Sequence, residues 1–251
     1  MTHPKRGDMR VVVWFSCGAA SASAAKFAIE KYGKDRVFFV YCNTFKEEHS
    51  DNPRFMKDVE KWLDISMTII GSVKYSSPTD VFEKTGYMSG RFGARCTVEL
   101  KKVPRFAFQM ADDINVFGFT VDKKELKRIK NFESNNPELN LDWVLRDANI
   151  SKAMCYKIIM DAGIRLPKMY LLGYKNNNCM GCVKASSPGY WNKVSIDFPE
   201  IFASRAEQSR RLGCRLVILK GKRIFLDELP VGMGMYKFKN ENISCGPECG
   251  G

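Results

Sequence analysis

Histidine is almost missing from this chain. His3 and His49 are the only two among 251 residues, which excludes a histidine-rich zinc or haem centre. No window approaches the ~20 apolar residues that a membrane-spanning helix needs. The opening MTHPKRGDMR lacks the apolar core of a secretory signal. These absences lead to the expectation of a soluble, cytoplasmic protein with no membrane partner. Internal repeats and low-complexity tracts are also absent. With 45% hydrophobic and 27% charged residues, the composition is that of an ordinary globular chain, neither disordered nor fibrous. Acidic residues are scarce: 28 Asp and Glu stand against 40 Lys and Arg, a net charge of +12. That excess points to anionic partners, either nucleic acid or a small phosphate-rich ligand, and does not choose between them.

Cysteine is plentiful by contrast. The nine are Cys17, Cys42, Cys96, Cys155, Cys179, Cys182, Cys214, Cys245 and Cys249. An odd count in a chain without an export signal argues against a disulfide framework and for metal binding or redox chemistry.

The first part of the chain alternates buried strands with helices. Val11-Val12-Val13-Trp14-Phe15 is a continuous apolar run of strand length, suited to a strand covered on both faces. An Ala-rich helix follows to about Tyr32 and is closed by Gly33. The run 37–41 reads as a second strand. Helix 52–64 places Phe55, Val59, Trp62 and Leu63 on one face. Short strands are expected at 67–70 and 116–119. This alternation predicts an α/β fold with a doubly wound parallel sheet. The polar stretch 131–141 reads as a loop. Helix 151–162 starts at the N-cap Ser151 and ends at Gly163. Beyond residue 186 the pattern weakens to a helix over 200–212 and two strands, 216–219 and 223–226, around Gly221-Lys222. The reading is one domain over 1–185 and a cysteine-bearing C-terminal extension over 186–251, packed on it.

Two places carry chemistry. Ser16-x-Gly18-x-x-Ser21 lies between a buried strand and a helix start. Backbone N–H groups there can face an anion, hydroxyls add donors, and glycine allows close approach. A small-residue turn that merely packs strand on helix fits the same letters. Open parallel sheets bind ligands at the carboxyl ends of their strands, and Asn43-Thr44 lies on that same edge. The second place is Cys179-Met180-Gly181-Cys182, a C-x-x-C whose thiols can serve zinc, iron–sulfur or redox roles. Buried free cysteine is the plain alternative, and it fits Cys42, Cys155 and Cys214 well.

WFSCGAASASAAK followed by VYCNTFKEEHSDNPRF resembles the PP-loop, or adenine nucleotide alpha-hydrolase, superfamily and within it the phosphoadenylylsulfate (PAPS) reductase family. The superfamily loop reads S-G-G-x-D-S, and its second strand often ends in an Asp-Thr-Gly that touches adenosine. This chain keeps Ser16, Gly18, Ser21 and Thr44 and has Cys17, Ala20 and Asn43 in place of Gly, Asp and Asp. ATP-cleaving members usually keep the loop Asp; the sulfonucleotide reductases do not. Leu166-Pro167 through Tyr174, then Cys179-x-x-Cys182, is similar to the family's L-P-x-x-x-L-Y-x-x-G-Y and G-C-x-x-C-T segment, with extra Asn residues here. Arg95-Cys96-Thr97 through Pro104 resembles the C-C-x-x-R-K-x-x-P of cluster-bearing reductases, with Thr97 where the second cysteine would stand. The 82 residues between Cys96 and Cys179 match that family's spacing. Glu248-Cys249-Gly250 is similar to the family's E-C-G tail, whose cysteine attacks the sulfate sulfur.

The resemblance implies an adenine nucleotide (ATP, PAPS or adenylylsulfate, with or without magnesium) held by Ser16, Gly18, Ser21, Asn43 and Thr44. It also implies contacts from the segment after a later strand: Gly118, Thr120 and, among the five cations of 123–130, Lys124, Lys127 and Arg128. A 4Fe-4S cluster is implied at Cys96, Cys179 and Cys182, with Cys245 as fourth ligand and Cys249 as the catalytic thiol. Three functions follow as expectations. The first is sulfonucleotide reduction, with a thiol or sulfur donor as partner. The second is ATP-dependent thiolation or adenylation of nucleic acid, and the third a non-enzymatic nucleotide or redox sensor.

Overall fold

The computed structural model describes residues 9–90, 93–234 and 236. In the first part, β1 (Val11–Phe15), α1 (Ala19–Tyr32), β2 (Val37–Cys42), α2 (Asn52–Leu63) and β3 (Met67–Ile70) alternate. Next come α3 (Pro78–Thr85), the two-residue strands β4 (Ser89–Gly90) and β5 (Gly93–Ala94), α4 (Arg95–Thr97) and α5 (Val103–Phe108). The chain then returns to the sheet with β6 (Ile114–Phe117), α6 (Lys123–Asn135) and β7 (Asn140–Asp142). Beyond these lie α7 (Val144–Asp147), α8 (Lys152–Asp161), α9 (Lys168–Leu171), α10 (Pro188–Asp197), α11 (Pro199–Arg211), β8 (Val217–Leu219) and β9 (Lys222–Ile224).

The central sheet has the order β3-β2-β1-β6-β7, and every pairing in it is parallel. The expected α/β fold with a parallel sheet is what the chain adopts. All five residues of β1 are buried because the strand is covered on both faces. Val11, Val13 and Phe15 join Phe39 and Tyr41 in one core with Ala22, Ala25 and Ala28 of α1 and Ile159 of α8. The alanines let α1 lie close on the sheet. Val12, Trp14 and Val40 face the other way, toward Phe108. A separate core gathers Phe82, Met88, Leu100, Met169 and Tyr174 with Trp191 and Val194 of α10 and Leu216 and Val217. Residues from either side of position 185 share it. No helix among the described residues is long and apolar enough to cross a membrane.

Two local expectations need correction. The polar stretch 131–141 is not a loop throughout: α6 runs to Asn135 and β7 begins at Asn140. A three-residue edge strand, Asn-Leu-Asp, carries too little apolar pattern to stand out. The weak region after 186 contains α10, started by Ser187, whose side chain accepts from the Tyr190 amide, and by Pro188 at its first turn.

Candidate functional site

The chain crosses from β3 at one edge back to β6 on the far side of β1. The loops that leave β1 and β6 therefore diverge, and the crevice between them is where open α/β sheets place ligands. A cleft of about 510 Å³ opens there. Ser16, Gly18 and Ser21 line it, together with Gly118, Thr120 and Arg128.

The Ser16–Gly18 turn is tightly specified. Cys17 holds a left-handed backbone at φ 56°, a conformation that costs a non-glycine residue about 1–3 kcal/mol. Its buried thiol points back toward the Asn52 carbonyl at 3.7 Å. Gly18 is the extended N-cap of α1, and its carbonyl accepts the first helical bond from the Ala22 amide at 3.1 Å. The amides of the first turn are thus free of helical partners and aligned with the positive end of the helix dipole. Ser21 works inside the loop: its hydroxyl donates to the Gly18 carbonyl at 2.9 Å and accepts from the Ser16 amide at 3.1 Å. Ser16 is the exposed hydroxyl of the pair. Gly118 is required by packing, since a Cβ there would lie 2.6 Å from the Ser21 nitrogen and 2.7 Å from its Cα.

One wall of the cleft is aromatic. Trp14, Phe117 and Phe119 line it, with Phe119 stacked on Trp143 at 5.3 Å and Trp14 fixed by its indole N–H on the Asn115 carbonyl oxygen at 2.8 Å. The Arg128 guanidinium lies 4.6 Å over Phe119 and donates to Glu125 at 2.7 Å. Thr120 donates its hydroxyl proton to Asp122 at 2.5 Å, and the same carboxylate accepts from the Lys152 amide at 2.9 Å. Lys152, Tyr170, Asn176, Asn177, Asn178 and Lys184 complete the lining. None of these six was expected as a ligand-binding residue, although Tyr170 lies in the Leu166–Tyr174 segment that carries the resemblance. The signal was present as the Asn triplet that interrupts the approach to Cys179.

Four expected ligand residues lie outside the cleft lining. Lys124 and Lys127 sit on the exposed face of α6. Asn43 accepts from the Phe45 amide at 3.2 Å. Thr44 is buried and donates to Glu48 at 2.5 Å. That carboxylate also accepts from the Asn52 side chain at 2.7 Å. Asn52 in turn accepts from the Asn177 side-chain amide at 2.8 Å, which donates as well to the Cys17 carbonyl at 2.5 Å. Thr44 thus belongs to a buried polar relay behind the loop.

That relay leads to the cysteines. Cys179 and Cys182 lie two and five residues beyond Asn177, and the Met180 amide is pinned on the Glu47 carbonyl at 2.8 Å. The Cys182 amide donates to the Tyr190 hydroxyl at 2.8 Å. Burial pushes the Cys96 thiol up to about 11, and the neighbouring Cys182 adds to it. Burial raises Cys179 further, against the pull of Lys101. Burial disfavours the Lys101 ammonium, but Cys179, Glu48, Cys42 and Cys182 around it outweigh that and raise its pKa. Cys179, Cys42 and Cys182 are thus the thiols that act on this cation. Among the described residues, however, no three His, Cys, Asp or Glu side chains are placed together to hold a metal ion. Cys245 and Cys249 lie outside the described residues. No model of a known protein family matches the chain, and no curated protein does.

Proposed function

We propose that this chain is an adenine-nucleotide-binding enzyme of PAPS-reductase type that reduces a sulfonucleotide. The observation that carries the reading is the Ser16–Gly18 turn, which opens the N-terminus of α1 onto the cleft at the β1–β6 crossover. Amides without helical partners at the first turn and the helix dipole favour the anionic end of a nucleotide there. Trp14, Phe117 and Phe119 offer the flat apolar surface that a purine ring needs. Lys152 and Lys184 supply positive charge in the lining.

In this reading a thiolate attacks the sulfur of the nucleotide's sulfate group, a thiosulfonate forms on the enzyme, and the phosphate oxygen leaves with its electron pair. A second thiol then attacks the enzyme sulfur and displaces sulfite, so the two thiols are oxidised to a disulfide. Burial disfavours the thiolate form of Cys96 and Cys179, and the thiolate is the nucleophile. That supports a nucleophile from elsewhere in the chain, for which Cys249 is the candidate. The iron–sulfur centre that the resemblance implies has no closed ligand set among the described residues, so nothing is routed through it.

The net charge of +12 favours the second reading, in which ATP activates an oxygen of a nucleic acid for thiolation. One pair of assays separates the two. Sulfite release from PAPS or adenylylsulfate with a dithiol, without pyrophosphate release from ATP, is the expected result. Pyrophosphate release dependent on nucleic acid, with no sulfite, would replace the first reading by the second.

A further inference from the structure

The phosphate loop is built from two distant stretches of chain. Tyr170, in α9, is only 5% exposed, yet it lines the cleft with Ser16 and Gly18. Its hydroxyl lies 2.9 Å from where a Cβ on Gly18 would stand, so glycine at position 18 makes room for this oxygen. Burial raises the pKa of the hydroxyl, while the backbone N–H groups of Ala19, the first residue of α1, and of Asn177 act on it in the opposite sense, as donors facing the oxygen do. A phenol oxygen has two acceptor positions and one proton. Two amides use the acceptor positions, and no acceptor for the proton is found among the described residues. Burial raises the pKa of the group, so the proton is present at neutral pH.

We propose that Tyr170 is a ligand-touching residue of the nucleotide site, its phenol proton donated to an anionic oxygen of the phosphate or sulfate seated on the Ser16–Gly18 loop. The proposal rests on the reading of the cleft as an adenine-nucleotide site and adds a residue that the loop motif does not contain. The two amides fix the oxygen, so the donor is oriented before the ligand arrives. The ring is held independently by Tyr156, 5.0 Å away. The amide that orients the phenol belongs to Asn177, whose side chain holds the Cys17 carbonyl. The loop and the chain entering Cys179 therefore meet at one hydroxyl.

Calorimetry of wild type and Tyr170→Phe with three probes tests this: adenosine 5′-diphosphate, inorganic pyrophosphate and adenosine. A hydrogen bond to a charged group corresponds to about tenfold or more in affinity. The expected result is that loss for the diphosphate and for pyrophosphate, with adenosine unchanged. Equal affinities in both proteins for all three probes overturn the proposal and leave Tyr170 as a structural cap. Equal weakening for all three, adenosine included, overturns it too, because that reports a distorted cleft. Binding of pyrophosphate alone, lost in the variant, sustains the proposal while removing the adenine-nucleotide reading beneath it. Should Tyr170→Phe fail to fold, Gly18→Ala pushes the phenol off the loop with the tyrosine retained. The same selective loss for the anionic probes is expected from it, and unchanged pyrophosphate affinity in a folded Gly18→Ala protein overturns the proposal.

Discussion

Gly18 and Gly118 both line the cleft, but they answer to different neighbours. A methyl on Gly18 meets the far end of a side chain, the Tyr170 hydroxyl, which can swing away. A methyl on Gly118 meets the Ser21 nitrogen and Cα and the Ala20 carbonyl carbon, all within 2.8 Å. Backbone at the first turn of α1 has nowhere to go without lifting the helix from the sheet. Gly118→Ala should therefore lower stability by about 1–3 kcal/mol or more and weaken nucleotide binding at the same time. Gly18→Ala should cost less, because it displaces one buried hydroxyl rather than backbone. Denaturant midpoints of the two variants check this, and equal midpoints would refute the distinction. Much of the loop could be read from the letters, because Ser16, Gly18 and Ser21 occupy a strand-to-helix turn. What the letters hide is direction. Ser21 spends its hydroxyl on the Gly18 carbonyl, Thr44 spends its own on Glu48, and Tyr170 arrives from 150 residues downstream. Hydroxyls matched to a motif are donors to a ligand only if the fold leaves them free.

The elements that position Tyr170 are joined by one carboxylate. Asp51, at the N-terminus of α2, accepts from Arg54 through both oxygens at 2.8 Å, from the Lys168 amide at the start of α9 at 2.9 Å, and from Arg165 at 3.3 Å. The Arg54 hydrogen bonds hold its carboxyl below the usual carboxylate range against the effect of burial, with the Lys168 amide and Arg165 assisting. A folded-state pKa below the unfolded one adds stability that is complete above the ordinary carboxylate range, near pH 4. That stability is lost as the pH falls through the depressed value. Asp51→Asn should thus cost about 1.5–3 kcal/mol at pH 7, and the gap between variant and wild type should shrink below pH 4. Urea unfolding at pH 7 and at pH 3 measures it, and a gap that widens in acid contradicts the assignment. At this scale the long periodic or uniformly apolar segments were legible: β1, α2, β3 and α8 lie within a residue or two of their expected bounds, and α1 ends at Tyr32 as expected but begins at Ala19, inside the stretch read as its leading loop. β7 was not, since three residues at a sheet edge have no period to detect. Nor was α10, because Tyr190, Trp191 and Asn192 are all buried and a helix covered on several sides shows no clean polar face.

For the whole molecule, the parallel order β3-β2-β1-β6-β7 decides where chemistry can gather, and the net charge decides what is drawn there. The cations are not concentrated in the cleft. Arg10, Arg54, Arg205, Arg210 and Arg211 are committed to ion pairs elsewhere on the fold, and Arg128 at the cleft is paired with Glu125. Lys152 and Lys184 are the lysines in its wall. The site itself therefore has the charge suited to one small anion, while Lys124, Lys127 and other described cations are exposed outside it. Two kinds of binding with different salt responses follow. A nucleic acid held on the outer surface through six or more phosphates should lose about 10³-fold or more in affinity between 50 and 200 mM salt, because the release of condensed counterions drives it. A nucleotide in the cleft is held by oriented amides, Tyr170 and aromatic contact, and should keep most of its affinity over that range. The two should also be independent, so that saturating nucleotide leaves polymer binding unchanged. Fluorescence anisotropy with a labelled oligonucleotide and with a labelled adenine nucleotide, each titrated at both salt concentrations and in competition, measures all three quantities. Polymer binding that resists salt and is displaced by nucleotide would place the nucleic acid inside the cleft, and nucleic-acid thiolation would then be the better account of this chain.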